Sequence, residues 1–425
     1  MVMVKLIVLV LFFLTFPLVI IHLCKRWSVL KKLGSIVLAY GFGLIIGSIG
    51  IIPKGSEAYK MALQGRSSLP KQEVLALLMS KSITPEDQNV NLIASVQDKI
   101  YTVAVLVAFP LLLFSLNMRR WLRFAKEGLI SMVLALVSVV AIVASGYFIF
   151  KNVVPDCWKV AGMLVGVYTG GTPNLVALKV ALGVEPNLFL MTSTYDMIVG
   201  AATIIFFITI GPRFFRAILP PFKGNGNSED SSQAAAEAES FEDYTGMMKK
   251  GVLFPLTKAF GIAVLIFILS FCISLLFPAD AQNVVVILSI TTLGIIASLI
   301  KWINKIEKSF QLGFYFILVF SLVVASMADL GVIFSIGFLG LFLFITWAYF
   351  GSLFLHMFLS KIFKVDADNF LITTTAFVFS PPFVPVVAGA LKNKDVIITG
   401  ITVGIIGYII GNYLGVGLGY FLKGF

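Results

Sequence analysis

The sequence predicts an all-α polytopic membrane protein, with about 11–13 transmembrane helices in two related halves. Three observations carry that prediction. Of 425 residues, 59% are hydrophobic and 12% are charged, against roughly 45–50% and 25% in soluble domains, and the mean hydropathy is +1.00. Apolar runs of membrane-spanning length recur along the whole chain. Two of those runs are interrupted by glycine and proline at corresponding places in the two halves. The composition excludes an ordinary soluble enzyme, a disordered scaffold, a disulfide-rich secreted module and a collagen-like chain. A porin-like barrel is excluded too, because its strands alternate apolar and polar residues.

The apolar runs fall at 4–23, 34–52, 100–117, 127–150, 158–182, 187–211, 252–277, 284–300, 310–328, 331–359, 370–391 and 395–422. The run at 4–23 lacks the basic start and small-residue cleavage site of a signal peptide, so it reads as a retained span. Residues 1–212 form the first half, with a polar insertion at 53–99 that includes an amphipathic surface helix at 71–80. Residues 213–250 form a flexible linker, rich in Gly, Asn, Ser and acids. Residues 251–425 form the second half. Basic residues cluster at the ends of runs, at Lys25–Lys32, Arg119–Lys126, Lys301–Lys308 and Lys361–Lys364. That is the positive-inside pattern of cytoplasmic loops, so the net charge of +11 points to a bilayer and not to nucleic acid. Cys24, Cys157 and Cys272 have no metal spacing and read as small packing residues.

In the first half, Tyr168-Thr169-Gly170-Gly171-Thr172-Pro173-Asn174 interrupts the run 158–182. In the second, Ser380-Pro381-Pro382-Phe383-Val384-Pro385 interrupts 370–391. Aligning Pro173 with Pro382 also aligns Ala181-Leu182 with Ala390-Leu391, a displacement of 209 residues. Proline removes a donor and clashes with the preceding turn, and Gly-Gly tolerates unusual backbone angles. Freed backbone groups cost several kcal/mol each in lipid, roughly, so the breaks belong inside protein or beside a water-filled cavity. Paired interruptions of this kind point to a transporter's binding site; a packing kink is the plainer alternative.

Asp196 is an acid within a predicted span, an expensive placement that marks function by default. Helical spacing puts Thr192, Asp196, Gly200 and Thr203 on one face, so a carboxylate with nearby hydroxyls could hold Na⁺ or carry a proton. Snorkelling, or pairing with Lys179, is the alternative. Asn174 offers an amide for an ion or substrate, or caps the second half-helix. Lys179 neutralises Asp196, binds an anion or snorkels. The Thr373-Thr374-Thr375 run reads as hydroxyls bonded to their own backbone. Asn412 reads as core-facing, Asp329 as solvated and His356 as interfacial. The series Gly400, Gly404, Gly407, Gly411, Gly415, Gly419, and likewise Gly43, Gly47, Gly50, makes smooth faces for close helix packing. Hydrolase, phosphate-loop and Cys/His metal motifs are absent from the sequence, so no enzyme activity and no cofactor beyond a coupling ion is expected.

The motif Thr169-Gly170-Gly171-Thr172-Pro173-Asn174 with residues 175–183 resembles that of the domain-of-unknown-function 819 family of bacterial membrane proteins. The similarity extends over most of the chain, including Pro110-Leu111-Leu112-Leu113-Phe114 before Arg119-Arg120. The same motif more distantly resembles the Gly-Gly-…-Asn motif of the bile acid:sodium symporter family, within a wider group that includes cation:proton antiporters. That resemblance implies an inverted repeat, two broken helices that cross, an elevator-like mechanism and a scaffold of the kind that often dimerises. It makes Asn174, Thr192 and Asp196 candidate Na⁺ ligands. Thr169, Gly170, Gly171, Thr172, Pro173, Ser193, Ser380, Pro381 and Pro382 complete the candidate ion and substrate site. Pro173 departs from the small polar residue that family often carries before Asn. The prolines of the second break also stand where a two-ion Na⁺ arrangement has an acid.

Twelve simple spans would make the two broken runs parallel, whereas an inverted repeat needs them opposed. The basic loops therefore require a run between 127 and 250 to be doubled or re-entrant, or one second-half run not to span. The expected function is a secondary transporter of the bacterial inner membrane, coupling Na⁺ or H⁺ to movement of a small solute such as an organic anion. The alternatives are a cation:proton antiporter without organic substrate, a non-transporting scaffold or sensor, and an intramembrane enzyme.

Overall fold

The computed structural model describes residues 2–27, 30, 34–63, 66–115, 118–222, 243–279, 281–327 and 339–425. Most of the linker, and Asp329, therefore lie outside the described residues. The helices are α1 (Val2–Arg26), α2 (Ser35–Ser48), α3 (Glu57–Leu63), α4 (Lys71–Met79), α5 (Pro85–Phe114) and α6 (Met118–Phe150). They continue with α7 (Cys157–Gly170), α8 (Thr172–Ala181), α9 (Pro186–Thr209), α10 (Gly211–Ile218), α11 (Lys250–Ser274) and α12 (Gln282–Ser298). The remainder are α13 (Lys301–Asn304), α14 (Ser309–Ser326), α15 (Leu339–Ile362), α16 (Ala367–Phe379), α17 (Val384–Leu391) and α18 (Val396–Lys423), with a 3₁₀ turn at Pro381–Phe383. No strand occurs among the described residues. Eight of these helices are long and apolar enough to span a bilayer, and shorter apolar helices accompany them. The protein is an all-α, integral membrane protein.

The chain forms two compact units: Met1–Ala108, Val184–Met191 and Gly313–Ile336 make the first, and the rest makes the second. In the first unit, Gly43 and Gly47 of α2 lie against the backbone carbonyls of Leu322 and Ser326 on α14, so close that a Cβ at either would overlap them. The smooth face read from the sequence is thus a packing face at these two positions. Gly50 is not part of it: its φ of +82° ends the helix, and nothing lies within 4 Å of a Cβ there.

Helix α5 starts well before its apolar run at 100–117, because its polar first half is satisfied internally. Asp87 accepts from the Ser56 amide (2.7 Å), the Ser56 hydroxyl (2.8 Å) and the Thr84 amide and hydroxyl (2.9 Å each). Asn91 Oδ1 accepts from the Tyr59 hydroxyl and the Leu69 amide, and its Nδ2 donates to the Leu69 carbonyl. Gln97 donates to Ser326 Oγ at 2.9 Å. With its polar groups paired, this stretch is free to be helical and partly buried. The expected amphipathic surface helix is α4, whose Val74 packs with Tyr59, Leu69 and Ile83.

In the second unit the two interrupted runs are helical hairpins, which corrects the expectation of two broken helices that cross. Helices α7 and α8 have 14 and 10 residues, lengths of about 21 and 15 Å, against a hydrocarbon core of about 30 Å. They run antiparallel. Gly162 lies beside Leu182, Gly166 beside Leu178 and Gly170 beside Asn174, and Lys159 Nζ reaches the Gly183 carbonyl at 3.3 Å. The reversal is made at Gly171, which caps α7 at φ +70° and ψ −162°. Helices α16 and α17 double back likewise, reversing at Ser380 with φ +74° and ψ 163°. Their outer ends meet on one side chain. Arg216 of α10 grips both carboxylate oxygens of Asp368 at 2.8 Å each and donates to the Leu391 carbonyl at 2.8 Å. Asn393 Nδ2 adds a bond to Asp368 at 2.9 Å.

Both hairpins lie on the glycine face of α18. Gly400 meets Val384 and Ile372, and Gly404 meets Pro381 and the Ala376 carbonyl. Further along, Gly407 meets the Thr169 carbonyl and Gly170, Gly411 meets Asn174, and Gly415 meets Leu178 and the Gly162 carbonyl. The hairpins therefore approach α18 from opposite ends, and their tips meet near its middle. At Gly407 a Cβ would overlap the Thr169 carbonyl oxygen, whereas at Gly417 nothing lies within 4 Å. Gly407→Ala is therefore expected to destabilise the protein by about 1–3 kcal/mol, with Gly417→Ala near neutral, read as melting temperatures in one detergent. Arg216→Ala is expected to cost about 1–3 kcal/mol, because it strips the fork from Asp368, whose side chain is 2% exposed; Arg216→Lys should recover only part.

Candidate functional site

The hairpin tips touch. A Cβ at Gly171 would overlap Ser380 Oγ and lie 3.2 Å from Ser380 Cβ. The two reversal residues share a left-handed φ and differ in position by the same 209 residues that align Pro173 with Pro382. Glycine takes φ near +70° without penalty, whereas serine there is strained by about 1–3 kcal/mol. Pro381 and Pro382 have no N–H to leave unpaired at such a reversal. Gly170, Gly171, Pro173 and Pro381 are buried, while Thr172 and Pro382 are half-buried.

Asp196 of α9 borders the tips. It is half-buried, and the groups acting on its carboxylate are the Tyr168 hydroxyl beside it and the Tyr349 hydroxyl further off. Tyr168 sits three residues before the Gly171 reversal, and its ring packs edge-to-face on Tyr349 of α15 at 5.2 Å. One turn along α9, Gly200 lies against the Phe379 ring, next to the Ser380 reversal. Thr203, on the same face, lies beside the Tyr349 hydroxyl and donates to the Val199 carbonyl at 2.9 Å. Thr192 and Ser193 are buried one turn before Asp196. No basic side chain is paired with Asp196 among the described residues. The carboxylate instead lies near the C-terminal end of α7, where the helix dipole is negative. Acid, dipole end and hydroxyl oxygens together suit a cation.

Asn174 is on the other side of hairpin α7–α8. Residues 166 and 170, which face Asn174, are each two positions from Tyr168, about 200° around the helix. The Asn174 amide donates to the Gly407 carbonyl at 2.8 Å, while its Oδ1 is buried without a hydrogen-bond partner. As the third residue of α8 it does not cap that helix; Gly171 holds the cap position. The structure thus joins Thr192, Ser193 and Asp196 on α9, and sets Asn174 apart from them. Thr169 Oγ1 donates back to the Val165 and Gly166 carbonyls, and its carbonyl rests on Gly407.

Two further expectations are corrected. Lys179 is almost fully buried, so it does not snorkel, and it is not the partner of Asp196. His356 is 2% exposed, not interfacial. Its Nδ1 meets Thr374 Oγ1 at 3.1 Å, its Nε2 meets Ser131 Oγ at 3.4 Å, and its ring lies on Phe370 at 4.6 Å. Thr374 and Thr375 bond back to their own helix as expected. Asn412 is buried and donates to Thr291 at 3.3 Å. Tyr168 and Tyr349 are the site residues that sequence reasoning missed, since aromatics in apolar runs carry no signal that separates packing from contact with an acid.

The tip contact can be tested by a double-mutant cycle. Gly171→Ala is expected to destabilise by about 1–3 kcal/mol, from positive φ and overlap with Ser380. Adding Ser380→Gly should recover part of that loss by removing the overlapping hydroxyl, a non-additivity of about 0.5–3 kcal/mol measured by thermal denaturation.

Comparison with known proteins gives a relative and a family. An uncharacterised membrane protein of Bacillus subtilis strain 168, YjcL, is 27% identical over 344 residues, covering 78% of this chain and 84% of the relative. The family described as "Protein of unknown function (DUF819)" matches residues 71–425. That match takes in both hairpins, Asp196 and the glycine face of α18, and the chain belongs to the DUF819 family of proteins of unknown function.

Proposed function

We propose that the protein is a secondary active transporter of the bacterial inner membrane that couples Na⁺ or H⁺ to the movement of a small solute, an organic anion being the class tested first. The single observation that carries this reading is the meeting of two re-entrant hairpin tips halfway along α18, with an acid at their border. Non-spanning backbone at membrane depth is tolerated only where protein or a water-lined cavity satisfies it. In transporters such interrupted elements hold substrate and coupling ions near the midplane. Opposed hairpins reversing at positions 209 residues apart are what an inverted repeat would leave behind, and they favour alternating access of the elevator type. In this reading Asp196, with Thr192 beside it, holds the coupling cation, and Gly171, Thr172, Ser380 and Pro382 shape the solute site. The assembly expected is a homodimer in the bilayer, with no cofactor beyond the coupling ion and no catalytic chemistry.

A cation:proton antiporter is the second reading. The lone carboxylate faced by neutral hydroxyls favours it, since one such group can exchange a proton for a cation. Proteoliposomes under an imposed Na⁺ or pH gradient distinguish the two: solute-dependent flux supports the first, and proton flux without solute supports the second. Asp196→Asn is expected to abolish ion dependence in both while leaving the folded protein intact in detergent. Unchanged ion dependence and flux in that variant would overturn the assignment. Na⁺ is expected to raise the melting temperature relative to K⁺, by mass action on the folded state, and Asp196→Asn to erase the difference.

A further inference from the structure

A large groove lies within the first compact unit. It measures about 910 Å³ and lies between α1, α2 and the start of α5. Its walls are apolar over most of their length, formed by Val8, Leu9, Phe12, Phe16, Phe42 and Ile46. The aromatic walls brace one another, with Phe12 on Phe16 at 4.8 Å and Phe16 edge-on to Phe42 at 5.2 Å. The polarity changes at one end only, where Lys54, Glu86 and Asn89 line the mouth, all three exposed. Lys54 follows the end of the apolar α2, and Glu86 stands in the first turn of α5, so the polar residues gather where the apolar length of α2 stops.

We infer that the groove is a binding site for a membrane phospholipid with a primary-amine headgroup. The volume falls in the range of small-molecule pockets, about 300–1,000 Å³, and the apolar length suits acyl chains. At the mouth the charges are of opposite sign, as they are in a zwitterionic headgroup. Lys54 complements the phosphate, Asn89 can donate to its oxygens, and Glu86 complements the ammonium. A primary ammonium donates hydrogen bonds to Glu86, whereas a quaternary one has no proton to donate. An anionic headgroup without an amine gains nothing from Glu86 and is repelled by it. The chemistry therefore ranks phosphatidylethanolamine above phosphatidylcholine and phosphatidylglycerol. Nothing in this site depends on the transport reading.

The test is native mass spectrometry of the delipidated full chain, given an equimolar mixture of phosphatidylethanolamine, phosphatidylcholine and phosphatidylglycerol. Phosphatidylethanolamine is expected to be retained about fivefold over either competitor, the scale of one partly exposed charged contact. Glu86→Gln should reduce its retention to that of phosphatidylcholine. Val8→Trp, at a groove position that is 60% exposed and so tolerant of substitution, should lower retention of all three lipids. Melting curves of both variants establish that they are folded. Equal retention of the three lipids by the unaltered chain, or an unchanged preference in Glu86→Gln, overturns the proposal. So does a lipid-free dimer that Val8→Trp dissociates, since the groove would then be filled by a second copy of the chain.

Discussion

The architecture of the second unit depends on the close approach of backbone to backbone along one face of α18. At Gly407 and Gly415 that face meets the carbonyl oxygens of Thr169 and Gly162, and at Gly404 that of Ala376. No side chain larger than hydrogen fits at these points. In lipid the association of helices gains little from hydrophobicity, and close packing of small residues supplies much of the attraction. Removing the side chains from α18 lets two hairpins with arms of 14, 10, 13 and 8 residues share one 28-residue partner. If either hairpin stood off by the width of a methyl group, its tip would lose the support that compensates for its interrupted backbone.

That support explains where the polar groups sit. A helical hairpin buries its strained reversal, its loose carbonyls and its half-helix ends, where each unsatisfied group is costly. Here the outer ends are closed by Lys159 on Gly183 and by Arg216 on Asp368 and Leu391. The tips are closed mainly on each other and on α18. The residual polar groups are few and separated: Asp196 with Tyr168 and Tyr349 on one side of the first hairpin, Asn174 on the other. The two sides of one hairpin thus present different chemistries, a carboxylate among hydroxyl oxygens and a neutral amide held against backbone.

Much of this was legible in the sequence. Composition and run length gave the class; Gly170-Gly171 and Ser380-Pro381-Pro382 marked the interruptions, and the reversals at Gly171 and Ser380 keep the displacement of 209 residues. Asp196 stood out because charge within spans is rare. The reversal of direction was not legible, because glycine and proline announce that a helix stops without saying which way the chain leaves. That choice rests on the sign of φ at Gly171 and Ser380, and serine is a poor signal for a left-handed residue. The basic loops asked either for a doubled or re-entrant run between 127 and 250 or for one second-half run that does not span; the fold doubles a run in each half. Helix α5 was underread for the opposite reason: Asp87 and Asn91 look solvated in sequence, yet their partners Ser56, Thr84, Tyr59 and Leu69 come from outside the helix.

The clasp at Arg216 gives the second hairpin a mechanical asymmetry. Both of its feet are pinned by one guanidinium that is 45% exposed, while its tip ends on a track of glycines that bears no interlocking side chains. A lever held at its base and resting on a smooth surface transmits a small tilt at the base into a larger excursion at the far end. The base of this hairpin is thus held by a single residue that is itself partly exposed, while its tip is buried.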